Sequence, residues 1–403
     1  MPGPIPSKIL VIKLRHHGDV LLTTAFLRHL RLRFPQAELH FLIYKETTPL
    51  VSHNDHITQL WTVDRTVKGW ARIKAEWNLI HQVRATGFDV VFHQTDQWNG
   101  ALAALFSKAA QRVSFLFFKR DNWLWKRCFT HLVPQPAHDT VHAAAYNFLL
   151  LPPLQLGAAA TLGQGSRTDG AKQADGHDSR ALQSDRSPVV ADIPLANISP
   201  KTAPCHLPIT PSLAAQAAER LKSAGITKQY VHMHPPARWG FKCWEEDRFA
   251  AVIDFVVAKG YQVVLTSGPG ETEVGMVDRI VSLCKTARAG ADVVSLAGKV
   301  NLPLVAAFLK QCSFYVGVDS APMHMAAALN VPQVCLFGPT RVNEWRPWSD
   351  NATLIYAGDY GVIPSPDGLD TSTSERYLKP IETQTVLTAI TELLNRHFSP
   401  NRG

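Results

Sequence analysis

A single stretch near the C-terminal end, FYVGVDSAPMHMAAALNVPQVCLFGP from Phe314 to Pro339, restricts the fold more than any other part of the chain. The apolar run Cys312 to Val318 has the length and β-branched content of a buried strand. Asp319 and Ser320 then stand where a helix begins, with Pro322 in its first turn. The helix carries Met323, His324, Ala326, Ala327, Ala328 and Leu329 and ends near Asn330; a second apolar strand, Gln333 to Phe337, runs into Gly338-Pro339. A strand–helix–strand unit of this kind belongs to an α/β fold, and its polar residues gather where the first strand gives way to the helix. Ligands bind at that edge of open α/β sheets, and the free N–H groups of a helix N-terminus suit phosphate. His324 follows Asp319 by about one turn, so both can face one pocket. A plain helix cap and a surface histidine are the ordinary alternative.

The rest of the chain repeats this alternation. Lys8 to Leu14 is a strand that breaks at Arg15-His16-His17-Gly18-Asp19, and Val20, Leu21, Thr24, Leu27, Leu30 and Leu32 then recur at helical spacing. Strands are expected at Glu38 to Tyr44, Ile57 to Val63, Phe88 to Phe92 and Arg112 to Phe117, and a helix from Thr140 to Leu151. In the second half, a helix at Ser212 to Ala224 leads into the strand Tyr230 to His234. A helix from Glu245 to Ala258 leads into Gln262 to Thr266, which opens on SGPGETE, and a short strand covers Val293 to Leu296. Alternating strands and helices imply βαβ units and parallel sheets. Between the halves, Gln155 to Cys205 is small, polar and charged, and it lacks the apolar surface to offset ordering entropy. It reads as a disordered insertion or linker. Residues 1–154 and 206–403 are then two α/β domains with a cleft between them, as a length of 403 residues suggests.

Composition narrows the partners without choosing one. No apolar run is long enough to span a bilayer, and MPGPIPSKILVIKL enters a strand pattern without the features of a signal peptide. Six scattered cysteines form no CxxC pair or zinc spacing, which fits reduced core thiols and a cytoplasmic protein. The formal charge of +8 points to an anionic partner: nucleotide, nucleic acid or membrane surface. A nucleic-acid module would cluster its Lys and Arg on one element, whereas here they are dispersed.

The motifs that are missing exclude several chemistries. Only Gly18 stands in the first strand–helix turn, so the GxGxxG of a dinucleotide-binding dehydrogenase is absent, as are GxxxxGK[ST], GxSxG and HExxH. What remains is a carboxylate, Asp19, on one domain, facing a phosphate-friendly helix terminus and Lys242 on the other. That arrangement suits transfer of a group from a nucleotide donor. A UDP-sugar transferase or sugar-nucleotide epimerase would share it.

Four segments, KILVIKLRHHGDVLLTTAFLRHLRLRFP, HPPARWGFKCW, SGPGETE and GVDSAPMHMAAALNVPQVCLFGPT, together resemble the ADP-heptose-dependent heptosyltransferases of lipopolysaccharide core synthesis, glycosyltransferase family 9. LRHHGDVLLTT is most similar to the branch of that family that adds the branch heptose to the second inner-core heptose. The resemblance implies a GT-B architecture, two Rossmann-like domains with acceptor on the first and nucleotide sugar on the second, and a last helix able to pack back on the first domain. It implies inversion at the anomeric carbon with no cofactor and no essential metal. Asp19 matches the presumed general base and Lys242 the lysine that neutralises the departing diphosphate. Asp319, Ser320, Ala321 and His324 match the segment that holds diphosphate and heptose, with Ala321 where Gly is commoner. Glu271 or Glu273 is expected at the ribose, and Arg15, His16 and His17 at a phosphorylated acceptor. A lipid-anchored acceptor places the enzyme at the cytoplasmic face of the inner membrane. Phe115, Phe117, Phe118, Trp123, Trp125 and Phe129, interleaved with Lys119, Arg120, Lys126 and Arg127, have the composition of a membrane contact.

Overall fold

A computed structural model describes residues 5–152 and 197–398. It contains two six-stranded sheets, all of whose pairings are parallel. In the first, β1 (Lys8–Lys13), β2 (Glu38–Tyr44), β3 (Gln59–Val63), β4 (Val90–His93), β5 (Gln111–Leu116) and β6 (His131–Pro134) lie in the order β3-β2-β1-β4-β5-β6. In the second, β7 (Tyr230–His234), β8 (Gln262–Leu265), β9 (Val293–Ser295), β10 (Phe314–Val318), β11 (Gln333–Phe337) and β12 (Ala352–Tyr356) lie in the order β12-β11-β10-β7-β8-β9. Read from its first strand, each sheet follows one doubly wound scheme, and the strand order reverses between β1 and β4 and between β7 and β10. Those two reversals face the cleft, and the GT-B organisation that the motifs imply is the one present.

The edge strands β6 and β12 are the elements that apolar patterning does not reveal. β6 is three partly buried residues and an exposed Pro134, and four of the five residues of β12 are only partly buried. The helix His17–Arg33 shows the opposite effect. Its residues Val20 to Leu27 are buried without a break, because one side packs on the first sheet and another meets the helix Ala321–Ala328 of the second domain. One apolar core consequently runs from β1 through this helix to Tyr315, Met323, Ala326 and Phe337 of the second domain.

Three expectations need correction. The last helix, Thr383–Phe398, does not pack back on the first domain. Its buried face (Val386, Ile390, Leu393) joins the core of the second sheet, beside the helix Glu246–Ala258. The expected linker ends too late. Most of it, residues 155–196, lies outside the described residues, but Ala203 and Cys205 are buried in the first core with Leu207. The indole N–H of Trp348 donates to Ala203 O at 2.8 Å, so residues 197–205 are a folded strap between domains. Finally, four of the six aromatic residues of the run are core: Phe115, Phe117, Trp125 and Phe129 are buried, with Trp98 edge-on to Trp125 and His93 stacked on Phe129. Phe118, Trp123 and Leu124 remain exposed.

Candidate active site in the interdomain cleft

The first rim of the cleft is the turn after β1. Register places Ile12 opposite His93, and Gln94 N–H donates to Ile12 O at 3.0 Å, so the ends of β1 and β4 are level. His16 stands at the N-cap position of the following helix without a side-chain cap, and His17, Gly18 and Asp19 form its first turn, where the unsatisfied N–H groups favour a carboxylate. The turn is braced from below by a buried network. Thr23 Oγ1 donates to Asp19 O at 2.9 Å and lies 3.4 Å from both Gln94 Oε1 and Asn147 Nδ2, and Asn147 Oδ1 accepts from Lys13 Nζ at 3.5 Å. Burial pulls the Lys13 ammonium down to about 8, against the raising charge of Asp19. Neither Lys13 nor Asn147 carries a sequence signal beyond being polar in an apolar setting.

The three acceptor candidates do not converge on one point. Arg15 reaches Asp96 at 3.2 Å, while His17 Nε2 is 3.0 Å from Glu46 O, to which it donates. His16 is exposed and takes a hydrogen bond of 3.4 Å from Arg238 of the second domain. Both imidazoles lie below the usual histidine range, chiefly because they are desolvated. Arg238 thus bridges the rims, a role for the HPPAR segment that sequence reading missed.

The second rim is stiffer. Gly317 pairs with His234, bringing the ends of β10 and β7 level, and Asp319 emerges beside the loop that follows β7. In that loop Phe241 and Trp244 are buried anchors on either side of Lys242, and Trp244 Nε1–H donates to Ile381 O at 3.0 Å. Lys242 Nζ bonds Asp319 Oδ2 at 2.6 Å and lies 5.0 Å over the Trp239 ring. Its side chain is 12% exposed and that of Asp319 8%, so the pair sits largely out of water. Ser320 stands at the N-cap position of the helix Ala321–Ala328 without a side-chain bond to its N–H groups, and His324 is buried one turn inside it.

His324 is where the rims meet. A Cβ on Gly18 would stand 3.0 Å from His324 Cδ2, so glycine is what allows the turn after β1 to approach the imidazole this closely. Burial lowers the His324 pKa; the charges of Asp319 and Asp19 push it up and Lys242 pushes it down, so all three lie within electrostatic reach. Its Nδ1 is buried with no hydrogen-bond partner among the described residues. Glu271 and Glu273 occupy the first turn of the helix Glu271–Leu283, beyond β8. Glu271 is exposed, whereas the Glu273 carboxyl is half-buried over Gly268 and its pKa is raised by that burial.

Among the described residues one cluster, away from the cleft, could hold a metal ion: Asp55, His56 and His206. It lies just before β3, on the edge of the first sheet opposite Asp19. His206 donates to Asp55 at 2.6 Å, tying the strap to the first domain.

The model of glycosyltransferase family 9 (heptosyltransferase) matches residues 76–367. Lipopolysaccharide heptosyltransferase 3 of Escherichia coli is 34% identical over 382 residues, 94% of this chain and 97% of its own. Lipooligosaccharide heptosyltransferase 2 of Haemophilus influenzae is 28% identical over 185 residues, 43% of this chain and 49% of its own. Among solved structures, a glycosyl transferase family 9 protein from Veillonella parvula has a TM-score of 0.74 at 22% identity, covering 97% of both chains. E. coli ADP-heptose lps heptosyltransferase II has a TM-score of 0.69 at 20% identity, covering 97% of this chain and 100% of its own. Motif order, near full-length identity and a shared two-sheet fold converge, and the chain belongs to glycosyltransferase family 9, the heptosyltransferases.

Proposed function

We propose that the protein transfers a heptose from ADP-heptose to the inner-core heptose of lipopolysaccharide, adding the branch heptose, with inversion at the anomeric carbon. The observation that carries this is the meeting of Gly18-Asp19 with His324 beside the Lys242–Asp319 pair. It puts a carboxylate of one domain within electrostatic reach of the phosphate-binding elements of the other. The relative named lipopolysaccharide heptosyltransferase 3, matched over 94% of this chain, supports donor and acceptor class.

In this reading the acceptor hydroxyl oxygen attacks the anomeric carbon as the bond from that carbon to the diphosphate oxygen breaks. The hydroxyl proton goes to the Asp19 carboxylate, and ADP leaves. One displacement with one base inverts the centre, by analogy with inverting glycosidases. Lys242 and the N–H groups opening the helix Ala321–Ala328 meet the charge on the departing diphosphate, a task for which a divalent cation is the usual alternative. We therefore read no metal requirement and no cofactor. His324 Nδ1 is free to bond a donor hydroxyl or phosphate oxygen. Arg15, His16 and His17 line the acceptor side, and Glu273 or Glu271 the ribose side. The acceptor's lipid anchor places the reaction at the cytoplasmic face of the inner membrane, with the protein bound peripherally; among the described residues no helix is long and apolar enough to cross a membrane.

The test is to incubate the protein with ADP-heptose and a truncated, lipid-free core acceptor, with chelator present, and to read product mass and linkage. Product with one added heptose at the branch position is expected. Transfer only from a UDP-sugar, or thermal stabilisation by UDP but not ADP, would assign the site to another GT-B enzyme.

A further inference from the structure

Two neighbouring segments outside the cleft concentrate the molecule's exposed apolar surface. Of ten tryptophans, the three exposed ones are Trp70, Trp77 and Trp123, and the most exposed phenylalanine is Phe118 at 93%. Trp70 (85%), Ile73 and Trp77 (54%) recur at i, i+3 and i+7 along the helix Gly69–Thr86, forming one stripe. That helix buries only Val83, in its second half, so the stripe stands on the half that projects from the fold. Phe118, Trp123 (73%) and Leu124 make up the second segment, ending in the short helix Trp123–Cys128. The helix Trp98–Ser107 joins the two: Asn99 donates to Glu76 on one side, and Trp98 meets Trp125 on the other.

Both segments begin at the carboxyl edge of the first sheet, after β3 and β5, the same edge that carries Asp19 after β1. Their charge is one-sided. Residues 68–77 and 118–127 hold Lys68, Arg72, Lys74, Lys119, Arg120, Lys126 and Arg127 against two acids, Glu76 and Asp121. Arg72 and Lys126 pair with those acids, and Arg120 donates to Asp96 O. Lys68, Lys74, Lys119 and Arg127 are exposed.

We propose that this surface is the protein's membrane-docking face: Trp70, Ile73, Trp77, Phe118, Trp123 and Leu124 seat in the headgroup region of an anionic bilayer and the lysines and arginines engage its phosphates. Indole rings settle at that depth, basic residues beside them add attraction to anionic lipid, and an apolar patch with a basic border is the mark of such a surface. The inference rests on the proposed function for the acceptor's lipid anchor. It adds that the bilayer lies against the acceptor rim, so a membrane-held saccharide reaches Asp19 without leaving the lipid.

Full-length protein is sedimented with vesicles rich in phosphatidylglycerol and with vesicles of phosphatidylcholine. The wild type is expected to bind the anionic vesicles alone, and less so as salt rises. The triple variant Trp70→Ser, Ile73→Ser, Trp77→Ser should lose at least tenfold in partitioning. Replacing Lys119, Lys126 and Arg127 with Gln should cost roughly fivefold per charge at low salt and little at high salt. Both variants, shown folded by unchanged melting, should turn over the lipid-free acceptor like wild type and show a raised KM for acceptor in vesicles. Variants that bind vesicles like wild type, or a wild type indifferent to lipid charge, overturn the proposal. So does a dimer that the tryptophan variant dissolves in the absence of vesicle binding, which would make the stripe a self-interface. If wild type binds vesicles but fails on the lipid-free acceptor, the proposed function falls while the docking face stands.

Discussion

The two rims of the cleft rise from sheets wound in the same strand order, yet they hold their charged residues in contrasting ways. On the second domain, Lys242 is fixed between the buried anchors Phe241 and Trp244 and locked to Asp319 at 2.6 Å, largely out of water. On the first, Arg15, His16 and His17 are partly exposed and each turns to a different partner, Asp96, Arg238 and Glu46. A rim that binds the same nucleoside diphosphate in every turnover gains from groups already in place, because no ordering cost falls on binding. A rim that receives a large saccharide needs side chains that can re-pair. The difference predicts that damage to the two rims separates cleanly, chemistry and acceptor on one side, donor and stability on the other.

The largest effect should come from Asp19→Asn. Loss of a general base typically costs 10²–10⁴-fold, and turnover should fall by about that amount. ADP affinity and melting temperature should stay near wild type, since Asp19 has no ion pair to lose among the described residues. Turnover retained near wild type would take Asp19 out of the mechanism. Asp319→Ala should behave in the opposite sense. It leaves the Lys242 ammonium nearly buried and unpaired, a loss on the order of 3–5 kcal/mol in stability, with ADP binding lost as well. Equilibrium unfolding and calorimetry read the two. If Asp319→Ala melts like wild type, the second rim is not the rigid one.

How much of this contrast the chain declares depends on what each residue does to its neighbours. Of the strands that hold the site, β1, β10 and β11 are mainly apolar runs whose ends follow from composition, while β7 is buried throughout although it carries His232 and His234. Asp19, Lys242, Asp319 and His324 stand beside those ends and could be named. Edge strands β6 and β12 have no such run, and the strap residues Ala203 and Cys205 are isolated apolar positions beside a long polar tract. The core role of Phe115, Phe117, Trp125 and Phe129 was equally hidden: aromatic residues mixed with Lys and Arg look alike whether rings face inward or outward. Arg238, Lys13 and Asn147 act through contacts across 124 to 222 residues of sequence, which no local pattern encodes.

Buried histidines offer a test that spans the rims. His93 and His142 are lowered to about 3, His232 to about 3 and His234 to about 4, all chiefly by burial. A folded pKa below the unfolded value near 6.5 means that the unfolded chain binds more protons in this range. Stability is therefore complete above about pH 6.5 and declines as pH falls toward 3, by up to about 2 kcal/mol per imidazole at pH 5. His142 also crosses the domains: it accepts from Ala144 N–H, donates to Arg346 O at 2.8 Å and stacks on Trp348. Urea midpoints across this window should fall less steeply in His142→Gln than in wild type. Parallel profiles would show that its titration does not contribute.

Gly18→Ala probes the contact between the rims with one methyl group. Its Cβ would lie 3.0 Å from His324 Cδ2, so the acceptor turn must give by a few tenths of an ångström. Displacing Asp19, the proposed base, should lower kcat by about tenfold, as small misplacements of reacting groups do, with little change in melting. An unchanged kcat would mean that the rims are free to shift against each other.

The smallest effect separates the two glutamates of the helix Glu271–Leu283. Glu273 is half-buried over Gly268 at the carboxyl end of β8, beside β7, whose loop holds Lys242. Its burial raises the pKa, so hydroxyl donors such as a ribose diol would stabilise the carboxylate there. Glu271 is exposed and competes with water for any such bond. Glu273→Gln should weaken ADP by about fivefold, the worth of roughly 1 kcal/mol of hydrogen bonding, while Glu271→Gln stays within about twofold. Titration calorimetry with ADP distinguishes them. The reverse order would place the ribose at the solvent side of that helix, and the pre-set part of the second rim would then end at the diphosphate.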